Sequence, residues 1–267
     1  MAKREVPEIN AGSMADIAFL LLIFFLVTTT MDKDTAYLRK IPKKVETRQE
    51  QVPVEEKNIY KIVINSRQVI QARDSIIKPE DISTLNSRIK HFYTVNRGKK
   101  TDRALNYPYY AYGTKELYSN NLQNQQNRLD ALESQTVIDD KTEKMIEQTM
   151  MAIQKWREKL DMMNLYTQYS GKKEMPEIAF EAHIRLESFV DTDYSAYVAV
   201  QSEVQRAVTE LRDEESEALF GVTWTTMNRY IQQNALEDTP EVRQYRKHVE
   251  LIETLYPLTL IEVKPKR

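Results

Sequence analysis

Residues 17–27, IAFLLLIFFLV, carry no polar side chain, whereas the 240 residues after them are ordinary or strongly polar. Extended to the flanking charges, the apolar stretch runs from about residue 11 to residue 31. As a helix rising ~1.5 Å per residue it spans about 30 Å, the thickness of a bilayer core. The chain therefore reads as anchored by one crossing. A cleaved signal peptide is the competing reading, because Lys3 and Arg4 precede the run. Glu5 and Glu8 spoil that basic region, however, and no A-x-A cleavage site follows. Charge does not set the orientation: Lys3 and Arg4 lie before the span, and Lys33, Arg39, Lys40, Lys43 and Lys44 lie after it.

Asp16 stands inside this stretch, where an ionised carboxylate costs ~2.5–3.5 kcal/mol on insertion scales. Proton uptake and release is one reason for it to be there. Three others stand beside it: Asp16 caps a helix that begins at Ile17, pairs with a basic residue of a partner, or reaches back to water. If Asp16 is a cap, only residues 17–31 remain before Asp32, short of the ~20 that a spanning helix needs. Asn10 and Ser13 add polar groups before the run, and Thr28, Thr29 and Thr30 close it with hydroxyls. Asp16, Leu20, Ile23, Val27 and Thr30 fall on one helical stripe, which suits a partner-facing surface. Ordinary satisfaction of a helix end explains the threonines equally well.

Composition removes several classes of function. With 38 basic and 40 acidic residues and no long basic block, there is no nucleic-acid footprint. The chain has no cysteine, hence no disulfide and no thiolate metal site, and its three histidines, His91, His183 and His248, are far apart. Five glycines form neither a phosphate loop nor a nucleophile elbow. An enzyme is not expected, and the chemistry that remains is protonation of a buried carboxylate.

Beyond the span, residues 32–57 are charged and punctuated by Pro42 and Pro53, as in a tether. Residues 59–64 and 69–72 alternate as two strands around a turn at 65–68, and Pro79 opens a helix with Ile82, Leu85 and Ile89 on one face. Residues 177–186 alternate as a strand. Asp191, Thr192 and Asp193 cap a helix with Tyr197, Val200, Val204, Val208 and Leu211 near one face. A helix over 240–255 and a strand over 258–263 close the chain.

The spacing Ile9-Asn10, then Asp16 at the head of an apolar run, resembles the membrane signature of the ExbD/TolR family, with Gly12-Ser13 where a Thr-Pro pair is common. The order of strands and helices resembles the soluble domain of long ExbD proteins. The resemblance covers residues 7–31, about 58–92 and about 176–265. It implies residues 1–10 in the cytoplasm, a transmembrane helix over 11–31, a periplasmic linker over 32–57 and an α+β periplasmic domain formed by 58–92 and 176–267, in a bacterial inner membrane. It also implies a proton-driven motor in which Asp16 carries the proton, with no cofactor beyond the coupling ion. The implied partners are a polytopic ExbB-like protein, expected as a pentameric ring, a second ExbD-like chain, and a TonB-like protein that opens outer-membrane transporters. A TolR-like role in envelope integrity and a passive membrane-anchored interaction protein are the alternatives.

Residues 93–175 read as an insertion. Ile146, Thr149, Ile153, Trp156, Leu160 and Met163 recur at helical spacing, which predicts a helix packing on a second one that carries Leu117, Leu122, Leu129 and Leu132. Met145, Met150, Met151, Met162 and Met163 suit a core better than a partner groove. The loop of Tyr107, Tyr109, Tyr110 and Tyr112 suits sugar or partner binding and internal packing equally.

Overall fold

The computed structural model describes residues 19–20, 54–135 and 139–266. The chain divides into two compact units, Met1–Gln51 and Val52–Arg267. Of the first, only Phe19 and Leu20 are described, both helical and exposed. The rest of the expected span and most of the tether lie outside the described residues. Among the described residues, no helix is long and apolar enough to cross a membrane.

The second unit is a mixed α+β domain. Strand β1 (Ile59–Ile64) buries Tyr60, Ile62 and Ile64 and exposes Lys61, the period of two that its sequence shows. Strand β2 (Ile70–Ala72) returns antiparallel with Ile70 opposite Ile64. In the turn between them, Asn65 Oδ1 accepts from the amides of Arg67 and Val69, both at 2.9 Å. A further strand, β3 (Ser75–Ile77), pairs with β2 and was not visible in the sequence, because three residues are too few to display alternation. Pro79 opens a single 3-10 turn, and α1 (Thr84–Thr94) begins only after it, burying Leu85, Ile89 and Phe92.

The alternating stretch 177–186 is not one strand. Strand β5 (Glu174–Ile178) pairs antiparallel with β4 (Tyr110–Thr114) in a two-stranded ribbon, whereas β6 (His183–Phe189) runs parallel to β1 in the main sheet. The chain turns between them, with the Ala182 amide donating to the Ala179 carbonyl at 2.9 Å and Phe180 left exposed. Apolar residues at 178, 180, 182 and 184 keep the period unbroken through that turn, so alternation alone could not locate it.

Helices α2 (Lys115–Glu133) and α3 (Asp140–Ser170) pack on each other, and three more helices follow β6: α4 (Tyr194–Phe220), α5 (Trp224–Gln233) and α6 (Pro240–Leu255). The chain closes in β7 (Leu260–Lys266), parallel to β6, and the main sheet has the order β3-β2-β1-β6-β7. Asp193 caps α4 through the Ser195 amide at 2.9 Å, and Gly221 ends it in the left-handed region at φ 71°. Ile62, Ile64, Ile184 and Leu186 of the sheet meet Leu85 and Ile89 of α1 and Val200, Val204 and Val208 of α4 in one core. Each such side chain contributes roughly 1.5–3 kcal/mol through burial.

Segment 93–175 contributes Met162, Met163, Tyr166 and Met175 to that same core. Thr149, Ile153 and Met163 are buried along α3 as their spacing predicts, while Met150 and Met151 are exposed. On α2, Leu132 is buried but Leu117 is 49% exposed, and its neighbour Tyr118 takes the interior position. Of the tyrosine loop, Tyr110 is interior and donates to the Tyr93 carbonyl at 2.6 Å. Tyr109 lies under Lys57 Nζ at 4.1 Å and the Arg103 guanidinium at 4.5 Å.

The end of α6, which delivers the chain to β7, is held from two sides. Tyr93 of α1 donates to the Pro257 carbonyl at 2.8 Å, and Arg212 Nε of α4 donates to the Tyr256 carbonyl at 3.0 Å. Carbonyls left over at a helix end need such partners. Nearby, His248 of α6 is buried, stacked on Phe220 at 3.8 Å with Tyr169 edge-on at 5.1 Å. Burial lowers its pKa below the ordinary 6.5. The folded state therefore binds this proton less readily than the unfolded state, so stability is full above pH 6.5 and declines as pH falls below it. Thermal melts between pH 8 and pH 5 are expected to show a smaller loss of Tm for His248→Phe than for the parent, and equal losses would show that His248 has no part in the acid response.

Candidate functional site

The residues singled out around the membrane segment, Asp16 with Asn10, Ser13, Thr28, Thr29 and Thr30, all lie outside the described residues. The structure therefore brings none of them to a described site. In the second unit, the feature best suited to a partner is the β7 side of the sheet.

Strand β7 exists where it does because Pro257 stops α6 and Leu258 and Leu260 then turn onto the core. The Ile184 amide donates to the Thr259 carbonyl at 2.9 Å, which sets the parallel register of Ile184 against Leu260 and Arg185 against Ile261. In that register the amide and carbonyl of Leu260 point away from β6. Strand β6 flanks β7 on one side, and no strand flanks it on the other among the described residues. The opposite edge, β3, is three residues long and offers little length for pairing. Beyond Val263 the sequence of β7 is Lys264-Pro265-Lys266, and lysine and proline are the residues that blunt an exposed edge. The part of the edge without lysine or proline is therefore residues 260–263, Leu-Ile-Glu-Val.

At the far end of β6 a cleft of about 430 Å³ opens beside this edge, walled by Phe189, Val190, Tyr194, Tyr197, Glu262 and Val263. Val190 is 64% exposed, Tyr194 77% and Ile261 44%, so the edge sits among solvent-facing apolar groups. Such groups are ordinary singly; here they gather beside a strand that no second described strand flanks. The loop forming the wall is fixed by Thr192, whose Oγ1 accepts from the Phe189 amide at 2.9 Å and donates to the Ile64 carbonyl at 3.2 Å. Gln201 Nε2 of α4 donates to Glu262 Oε1 at 2.6 Å, tying the edge strand to the helix layer. On the sheet face away from α1 and α4, Glu187 pairs with Arg185 Nε at 3.0 Å and Lys61 Nζ at 3.6 Å. Sequence reading did not identify this edge, although the Lys-Pro-Lys ending is an edge-strand signal present in the residues themselves.

Among the described residues, no three histidine, aspartate or glutamate side chains gather as a metal site. The second unit thus displays, among the described residues, a sheet edge at β7 and an apolar cleft beside it. The profile of the family described as Biopolymer transport protein ExbD/TolR matches residues 2–212, and the chain belongs to that family. Membership associates it with energised biopolymer transport and with membrane-associated complexes of the cell envelope, proteins that couple transport rather than catalyse reactions. No curated protein and no solved structure gave a match. The matched span includes Asp16 and ends within α4, so β7 and its edge lie beyond it.

Proposed function

We propose that this chain is the proton-coupling subunit of an ExbB-ExbD-TonB-type motor of the bacterial inner membrane. In this reading residues 11–31 cross the membrane once with the N-terminus in the cytoplasm, and residues 32–57 tether the second unit in the periplasm. The observation that carries it is a carboxylate, Asp16, at the head of an apolar run within the family match of residues 2–212. Asp16 takes up a proton from one side of the membrane and releases it to the other, and no cofactor takes part. A charge moved through the full membrane potential releases ~2.3 kcal/mol per 100 mV, comparable with the ~2.5–3.5 kcal/mol penalty of a bare carboxylate in the helix. Protonation can therefore switch the surroundings that the helix prefers. An ExbB-like ring and a second ExbD-like chain are the membrane partners, and the decisive experiment is substitution of Asp16 by Asn with uptake and assembly scored separately.

The output partner in this reading is a TonB-like protein that adds a strand along residues 260–263 and seats a side chain in the cleft at Tyr194. Because the parent chain has no cysteine, Ile261→Cys provides a single thiol on the edge. It is expected to form a disulfide with a cysteine placed in an extended segment of the partner, and Tyr194→Ala is expected to reduce that yield several-fold. Equal crosslinking from Asp130→Cys on α2 would remove the edge from consideration.

A further inference from the structure

A second cleft, of about 380 Å³, lies between the β2–β3 turn and α1, lined among others by Tyr60, Arg73, Asp74, Arg88, His91 and Tyr107. Arg73 is the first residue of the two-residue turn and has φ 51°, in the left-handed region that turns of this kind normally give to glycine. A strained residue that is not glycine is held by its surroundings, and such outliers gather at functional positions. Here the Arg73 amide donates to the Lys61 carbonyl at 2.8 Å and Nη2 donates to the Asn106 carbonyl at 2.5 Å. The guanidinium lies over the Tyr107 ring at 4.7 Å. Its Nη1 is shielded from water and has no hydrogen-bond partner among the described residues. Neither Arg73 nor Arg88 has an ion pair among the described residues, although both line this cleft.

We propose that this cleft binds a carboxylate monoanion through the guanidinium groups of Arg73 and Arg88. The planar fork of arginine matches a carboxylate with two parallel hydrogen bonds, and a small shift of Arg73 brings its unused Nη1 into play. Charge balance selects the monoanion. Asp74, next to Arg73 in the turn, offsets one of the two arginines and repels the second charge of a phosphate. Tyr60 supplies a donor: burial pushes its phenol up to about 12, while Arg88 and then Arg73 pull in the other direction, so both guanidinium fields meet at this hydroxyl. The Tyr107 ring provides an apolar wall for the body of the ligand.

Saturation-transfer NMR on the full chain in detergent tests this with N-acetylalanine as the probe. The acid is expected to show saturable binding and N-acetylalanine amide none. Arg88 is half-buried and its side chain makes no hydrogen bond or ion pair among the described residues, so Arg88→Gln is expected to leave the melting temperature nearly unchanged and raise the Kd by about tenfold or more, the size of a lost charged hydrogen bond. Arg73→Lys keeps the charge, loses the fork, and is expected to weaken binding as well. Tighter binding of acetyl-Ala-Ala than of acetylalanine would identify a peptide C-terminus as the source of the carboxylate, and equal binding a small free acid. Equal saturation by the amide, an unchanged Kd in Arg88→Gln, or displacement of the acid by phosphate at equal or lower concentration would each overturn the proposal.

Discussion

Asp16→Asn is expected to abolish energised outer-membrane uptake while the chain still inserts and co-purifies with its membrane partner. Asparagine matches aspartate in shape and hydrogen-bonding reach but does not titrate. It also removes the ~2.5–3.5 kcal/mol penalty of an ionised carboxylate in the span, so insertion is not weakened. Loss of uptake with assembly intact therefore isolates the proton step. Asp16→Glu keeps a titrating group one methylene further out and is expected to retain part of the activity. Undiminished uptake in Asp16→Asn would end the motor reading and leave an anchored interaction domain in which Asp16 serves as a cap. Loss of envelope integrity in place of uptake would direct the same motor to a TolR-type output.

Gly113→Ala is expected to destabilise the second unit by about 3 kcal/mol, at the upper end of overpacking effects. A Cβ at Gly113 would fall 1.6 Å from Tyr118 Oη and 2.2 Å from its Cζ. Tyr118 has no easy way out. Its side chain is buried, and its hydroxyl donates to Glu177 Oε1 at 2.5 Å, while Lys159 Nζ donates to Glu177 Oε2 at 2.7 Å. Burial and the Glu177 carboxylate push the phenol pKa up, so the hydroxyl stays a donor throughout the physiological range. For a unit of this size the loss corresponds to roughly 10 °C in Tm. In the double variant Gly113→Ala/Tyr118→Leu the cost is expected to be well below the sum of the two single changes, because removing the ring removes the clash. Strict additivity, or a Tm within a degree of the parent for Gly113→Ala, would show that the ribbon and α2 part without penalty.

Elements whose residues carry their own period were legible in the sequence. Tyr60, Ile62 and Ile64 in β1, the Val200-Val204-Val208 stripe of α4, and α6 from Pro240 to Leu255 all lie where their spacing predicts. The same rules failed where period and chain direction parted company. β5 and β6 read as one strand because the alternation continues across a turn, and β3 was too short to read. Leu117 and Tyr118 are adjacent, and helical spacing favoured the leucine, whereas Gly113 opposite leaves room for the larger ring.

The sequence by itself determined the apolar run with its single acid, the family, and the mixed α+β character of the second unit, because hydrophobic period and local motif are properties of neighbouring residues. Only the tertiary structure decided which strand lies at the edge of the sheet among the described residues, that Met162, Met163 and Tyr166 of the long helix share the core of the sheet, and that Arg73 and Arg88 line one cleft. These depend on pairings between residues far apart in the chain. Sheet order is set by which apolar faces bury one another, and no local spacing encodes that choice.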